Sequence, residues 1–248
     1  MRIAVAGATG NIGARTVAAL DRDGHETVGI SRSLGVDLLT GAGLDDALAG
    51  VVAVVDATST AAQDEAEVVR FFADGSRNLL AAEERAGVRH HVLLSIVGLA
   101  APTRNPHYTG KLAQERTVES GSVPWTIVRA TQFHDFAATV ASWVERDGVA
   151  PIAPLLVQAI APDDVAAVLA EVAAGPAQRA RIDIAGPDTQ ALVDMARRTH
   201  AARGQEIRLV PTWDGMFGTA MAGNVLLPGP DARIMPTSFD EWLAAGAR

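Results

Sequence analysis

Met1-Arg2-Ile3-Ala4-Val5-Ala6-Gly7-Ala8-Thr9-Gly10-Asn11-Ile12-Gly13 opens the chain and decides how the rest is read. Ile3 to Ala6 is a short apolar run with β-branched residues, the pattern of a buried strand. Gly7, Gly10 and Gly13 follow at a spacing of three, and Ala14 to Leu20 then carries a helical pattern with Val17 and Leu20 on one face. Strand, glycine turn and helix in that order form the context that a dinucleotide-binding turn requires. Gly7 permits the tight turn, Gly10 lets the backbone approach a pyrophosphate, and Gly13 lets the helix pack close to the strand. The helix N-terminus then faces the phosphate charge. Gly7, Thr9, Gly10, Asn11, Ile12 and Gly13 are therefore the candidate cofactor-binding residues of this turn. The spacing is G-x-x-G-x-x-G, so a glycine-rich turn without a ligand is the alternative; the flanking strand and helix weigh against it.

Composition narrows the class. A chain of 248 residues with 48% hydrophobic content can bury a substantial core as one α/β domain, or as a large domain carrying a smaller one. No apolar stretch approaches the roughly eighteen residues of a membrane span, and Met1-Arg2 leads directly into the first strand, so no signal peptide is expected. The chain has no cysteine, which excludes disulfides, a thiol nucleophile and thiolate metal sites. A net charge of −8 with no basic block argues against nucleic acid. No His/Asp/Glu cluster has metal-ligand spacing. These features suggest a cytoplasmic protein, monomeric or homodimeric, that handles a small molecule and needs neither membrane nor metal.

One compositional detail is sharper than any average. Of the 21 basic residues only Lys111 is a lysine, and the single Tyr, Tyr108, lies three positions before it. Arg cannot replace Lys where a compact charge of adjustable pKa is needed. Coincidence in a composition poor in both residues is the other reading.

Along the chain, Glu26 to Ile30 reads as the second strand and ends in Ser31-Arg32-Ser33. In dinucleotide folds an acid at this place takes the ribose hydroxyls of NAD, whereas Arg accommodates the extra phosphate of NADP. Arg32 between two hydroxyls therefore favours NADP(H) over NAD(H), a solvated surface Arg being the alternative. Gly35 to Leu39 reads as a short third strand, with Asp37 near the adenine edge. Val51 to Asp56 is an apolar strand, and Thr58 in the loop after it is a candidate cofactor contact or simply part of a polar loop. Asp64 to Gly87 reads as a long helix, His90 to Gly98 as a strand with Ser95 near its carboxyl end, His107 to about Ser120 as a helix, and Val123 to Arg129 as a strand. His90 and His91, adjacent in a strand, point to opposite faces. Beyond Gly148 the segments shorten: Asp163 to Leu169, Thr189 to Arg203, Trp213 to Met221 and Ser238 to Leu243 read as helices, and Ile182 to Ile184 as a strand. The expected division is a dinucleotide-binding domain over 1–155 and a smaller lobe over 156–248, interleaved with it and lending a late strand to the sheet.

With these stretches in view, the chain resembles the NmrA-like group of atypical short-chain dehydrogenases/reductases. The resemblance rests on Gly7-Ala8-Thr9-Gly10-Asn11-Ile12-Gly13, Leu94-Ser95-Ile96-Val97-Gly98, Lys111-Leu112-Ala113-Gln114-Glu115, Trp125-Thr126-Ile127-Val128-Arg129 with Ala130-Thr131-Gln132-Phe133, and Ile160-Ala161-Pro162-Asp163-Asp164-Val165-Ala166. It covers residues 1–185 in order and implies a Rossmann-type, doubly wound, mostly parallel sheet of about six or seven strands. In the wider superfamily the catalytic set is Ser, Tyr and Lys, with Tyr four residues before Lys. Ser95 and Lys111 fall on matching positions. His107 occupies the tyrosine position and Tyr108 is displaced by one, about 100° of helix.

Three arrangements stay open: Tyr108 reaches the site, His107 serves as the acid, or Lys111 acts alone, as in isoflavone-reductase-like relatives. Lys111 is also implied to hold the nicotinamide ribose. Phe133, His134, Phe136, Trp213, Met216 and Phe217 are candidates for an apolar substrate pocket or ordinary core. The expected function is an NADP(H)-dependent oxidoreductase of a small apolar carbonyl or quinone-like compound. The alternative is a non-catalytic NADP(H)-binding redox sensor, since NmrA-like proteins include such members. An epimerase or dehydratase of nucleotide sugars is a third reading.

Overall fold

The computed structural model describes residues 1–99, 105–215 and 217–246. The chain runs β1 (Arg2–Ala6), α1 (Asn11–Arg22), β2 (Glu26–Ile30), α2 (Leu44–Ala47), β3 (Ala53–Asp56), α3 (Glu65–Ala86), β4 (His90–Ile96), α4 (Pro106–Ser120), β5 (Trp125–Ala130) and α5 (Phe136–Val144). It continues through β6 (Val149–Ile152), β7 (Leu156–Val157), α6 (Pro162–Ala174), β8 (Arg181–Ala185), β9 (Gln190–Ala191), α7 (Leu192–Ala202), β10 (Arg208–Pro211), β11 (Arg233–Ile234) and α8 (Phe239–Ala244). Seven strands form one sheet in the order β11-β8-β5-β4-β3-β1-β2. The ladders β1/β2, β1/β3, β3/β4 and β8/β11 are parallel. This is the Rossmann-type α/β architecture expected from the opening strand, turn and helix. Parallel neighbours need crossovers, which the helices supply, and β3, buried along its whole length, has the continuous apolar sequence of a strand covered on both faces.

Two compact units are distinguishable. The first comprises Met1–Leu99, Arg104–Arg129 and Val165–Ile182. Its core joins Ala4, Ile30, Val54, Leu79, Leu93 and Ile127, all fully buried, each large aliphatic side chain contributing on the order of 2 kcal/mol. Local signals set its helix ends. Asp64 caps α3 by accepting the Glu67 N–H at 2.9 Å, and Gly87 ends it in the left-handed region. Asn105 caps α4 by accepting the His107 N–H at 2.9 Å, with Pro106 in the first turn. The two helices pack closely because residue 110 is Gly: a Cβ there would fall 2.6 Å from Val68 Cγ1 and 2.7 Å from Phe72 Cδ2.

The second unit consists mainly of Ala130–Asp164 and Asp183–Arg248. Here Asp164 accepts the Thr237 N–H and hydroxyl at 3.1 and 3.0 Å, and Ser238 with Glu241 forms a capping box at α8. His134 is buried beside Phe239 and Trp242, each ring centre 5.6 Å from its own. Phe136 and Phe217 touch at 5.9 Å, and Phe133 and Trp213 are half-buried. Met216 lies outside the described residues, as do residues 100–104.

Among the described residues, two expected elements do not form. Gly35 to Leu39 is a turn, not a strand. Val36 N–H donates back to Ser31 O at 3.0 Å, Asp37 N–H to Ala42 O at 3.0 Å, and the Asp37 carboxylate accepts Leu39 N–H at 2.8 Å. The backbone groups a ladder would use are satisfied within the loop, with an Asx-type bond winning over strand propensity. Among the described residues of the stretch expected as a helix over Trp213 to Met221, the only helical element is a 3-10 turn at Thr219–Met221; Gly215 and Gly218 interrupt the run, Gly being the poorest helix former after Pro. The short strands β6, β7, β9, β10 and β11 carry no periodicity of their own.

Candidate active site

The glycine turn lies at the carboxyl end of β1. Gly7 sits at φ +80°, where a Cβ would be 2.7 Å from Ala57 O, and a Cβ on Gly13 would be 2.0 Å from Gly7 O. No side chain caps α1 and no acid lies in its first turn. A close backbone approach and an uncapped helix N-terminus are what a pyrophosphate requires, so the residues present fit a dinucleotide. Thr9, Gly10 and Asn11 are exposed, whereas Ile12 and Gly13 are buried.

Arg32 is exposed on a 3-10 turn (Arg32–Leu34) after β2, where the flanking Ser31 and Ser33 hydroxyls bond each other at 2.9 Å. Asp37 is half-buried in the turn described above. Thr58 directs both its N–H and its hydroxyl onto Asp56 Oδ1, at 3.0 and 2.5 Å.

Lys111 is 4% exposed. Its ammonium donates to Leu94 O at 2.6 Å and Gln114 Oε1 at 2.5 Å, and lies 4.9 Å from the centre of the Phe72 ring. Burial pushes its pKa down to about 8, against the opposing pull of Asp56 and Glu115. His107, one turn earlier on α4, packs edge-on against the same Phe72 ring at 5.2 Å. Burial, with the charge of Lys111 second, lowers its pKa to about 4. Its imidazole is therefore neutral near pH 7. Tyr108 is 8% exposed in the first turn of the same helix.

Ser95 is buried, and its hydroxyl donates to Glu115 Oε1 at 2.6 Å. Arg129 holds that carboxylate through Nε at 2.8 Å and Nη2 at 2.5 Å, with Arg181 Nε at 3.6 Å. The structure thus brings Lys111 and His107 together over Phe72 and turns Ser95 to Glu115.

Sequence reasoning did not assign Asp56, Phe72, Ser76, Gln114 or Glu115. An acid closing the apolar run Val51 to Asp56 was a signal for Asp56: a carboxylate at the end of a buried strand needs partners. Glu115, four residues after Lys111, shares its helical face. Among the described residues no three His, Asp or Glu side chains gather as a metal site would need, and no helix is long and apolar enough to cross a membrane.

A family model described as NAD(P)H-binding matches residues 7–176, which hold the glycine turn, Lys111 and the strands between. The chain belongs to this NAD(P)H-binding family. The match accords with the resemblance to NmrA-like, atypical short-chain dehydrogenases/reductases. A relative, the (4-alkanoyl-5-oxo-2,5-dihydrofuran-3-yl)methyl phosphate reductase of Streptomyces griseus subsp. griseus, is 28% identical over 227 residues, covering 83% of this chain and 75% of its own. Among solved structures, the NADPH complex of Escherichia coli quinone oxidoreductase QOR2 superposes with TM-score 0.67 at 18% identity, over 85% of this chain and 78% of that one. A short-chain dehydrogenase/reductase superfamily protein from Agrobacterium tumefaciens with bound NAD gives 0.72 at 21%, over 100% and 96%. Neighbours of this NAD(P)H-binding fold thus carry either cofactor.

Proposed function

We propose that the chain is an NADPH-dependent reductase of a small, largely apolar carbonyl or quinone-like compound. The observation that carries this reading is Lys111: the only lysine, buried at the carboxyl end of β4, with a titration point within reach of neutral pH. The Streptomyces relative, named as a reductase, supports the reaction class. Gly7, Thr9, Gly10, Asn11, Ile12 and Gly13 would hold the pyrophosphate through their backbone. Asp37 and Thr58 would border the adenosine half, and Arg32 would pair with the 2′-phosphate. Bound NADPH supplies a hydride.

The chain's own part is the proton. An ammonium has three donors. Two are engaged by Leu94 O and Gln114 Oε1, which leaves one for the ribose or the reacting oxygen. Below about pH 8 Lys111 carries the proton that the oxygen needs, and Tyr108 beside it on α4 is the second donor in this reading. His107, with a pKa of about 4, is almost wholly unprotonated at pH 7 and so is a neutral ring against Phe72 in this reading, not the acid.

One observation favours the sensor as a second reading. Ser95 donates to Glu115, so the hydroxyl implied beside the reacting oxygen is committed elsewhere. Titration with NADPH and NADH, followed by NADPH consumption against quinones and carbonyls, separates the two. Tighter NADPH binding with turnover supports the reductase. Binding without turnover on any compound supports the sensor, and a preference for NADH removes Arg32 from the site.

A further inference from the structure

Gln114 is fully buried, and both ends of its amide are occupied by charged partners. Its Oε1 accepts from the Lys111 ammonium at 2.5 Å, while its Nε2 donates to Asp56 Oδ2 at 2.9 Å and to Ser76 Oγ at 3.0 Å. Asp56, also fully buried, additionally accepts the Ser76 hydroxyl at 3.3 Å and the two Thr58 donors. A carboxylate offers only acceptors and an ammonium only donors. Turning the amide over would set oxygen against carboxylate and NH2 against ammonium, two repulsions in a buried site. Asp56 therefore fixes which end of Gln114 faces Lys111.

The amide also keeps the two charges from touching. A carboxylate in direct contact would hold the ammonium protonated well into the alkaline range. A neutral oxygen steadies it less, so that burial is free to bring its titration point toward neutrality. The backbone carbonyl of Leu94 fixes a second direction at 2.6 Å, and the two acceptors together aim the third N–H.

We propose that Gln114, oriented by Asp56, is a positioning residue that aims the Lys111 ammonium and sets how readily it parts with its proton. The proposal rests on the reading of Lys111 as the working group, but it is testable without cofactor. Lys111 is the only lysine, so protein grown with lysine labelled with 13C at Cε gives one lysine side-chain signal, whose pH titration reports Lys111 directly. The expected midpoint of the wild type is about 8.

Gln114→Met keeps the volume and removes the acceptor. Its midpoint should fall by about one unit, tenfold in the protonation equilibrium, and the inflection in the pH profile of kcat should move with it. At fixed pH, kcat should fall about tenfold or more while the substrate KM changes little. A folded Gln114→Met protein whose midpoint stays within about 0.3 unit of wild type overturns the proposal. Should that variant fail to fold, the wild type decides: the Gln114 side-chain amide 15N signal must titrate with the midpoint of the Lys111 carbon. An amide signal flat across that range overturns the proposal equally. Absence of NADPH binding or turnover in a wild type showing the shared titration would instead count against the reductase reading alone.

Discussion

Adjacent residues of helix α4 build two buried polar clusters, and they handle charge in opposite ways. In one, Gln114 stands between Lys111 and Asp56 as a neutral spacer; in the other, Glu115 meets Arg129 directly, at 2.8 and 2.5 Å, and takes the Ser95 hydroxyl as well. A direct, bidentate Arg–carboxylate pair is geometrically locked, and its guanidinium does not titrate in any ordinary range. The spaced pair leaves its cation adjustable. The contrast separates a cluster that fixes α4 against β4 and β5 from one that can carry a proton.

Breaking the adjustable side should show first in activity. Lys111→Met is expected to lower NADPH-dependent turnover about 10³-fold, measured with the best compound of the quinone and carbonyl panel, while the protein stays folded. Breaking the locked side should show first in stability. Glu115→Ala leaves Arg129 without its carboxylate and Ser95 without its acceptor, so urea unfolding should report a loss of about 4 kcal/mol; an unchanged midpoint would mean that the pair contributes nothing.

Titration sharpens the comparison further. The folded-state pKa of Lys111, about 8, lies below its ordinary 10.5, so between these values the unfolded chain binds more proton. Stability should therefore rise with pH across that window by up to about 3 kcal/mol. Lys111→Met should flatten the rise, and Arg129→Met should leave it in place. Smaller still is Gly110→Ala, where the added Cβ must push Val68 and Phe72 aside. It should cost about 2 kcal/mol and move the Lys111 titration, since α4 would lift from α3. Arg32→Ala closes the series with about a tenfold loss of NADPH affinity and unchanged NADH affinity.

The first thirteen residues are legible because every local signal agrees: apolar run, glycines and amphipathic helix each favour the observed element. Asn105, Asp64 and Ser238 act locally too, as caps. Gly35 to Leu39 misleads because its alternating apolar residues look like a strand, while the Asp37 side chain satisfies the backbone in a turn. The candidate site is legible only in part. Lys111 stands out by its rarity, but Asp56 and Gln114 lie 58 residues apart in the chain and meet only through tertiary packing, which no local pattern encodes. Ser95 is visible as a hydroxyl at a strand end. That it faces Glu115 depends on the rotation of α4 and not on spacing. His90 and His91 show what alternation alone can settle: one bonds Thr126 and the other Glu83, on opposite faces of β4.

The parallel register has a consequence for how the molecule comes into being. Ala4 pairs with Val28 on one side and Val54 on the other, and Val54 in turn with His91. Each of these ladders closes only after an intervening helix has returned the chain, so no hairpin can form early and template the rest. Loop-closure entropy must be met before any of these contacts forms. The sheet that positions Lys111 is therefore expected to assemble late, on slow refolding kinetics, with α1 and α3 forming ahead of it.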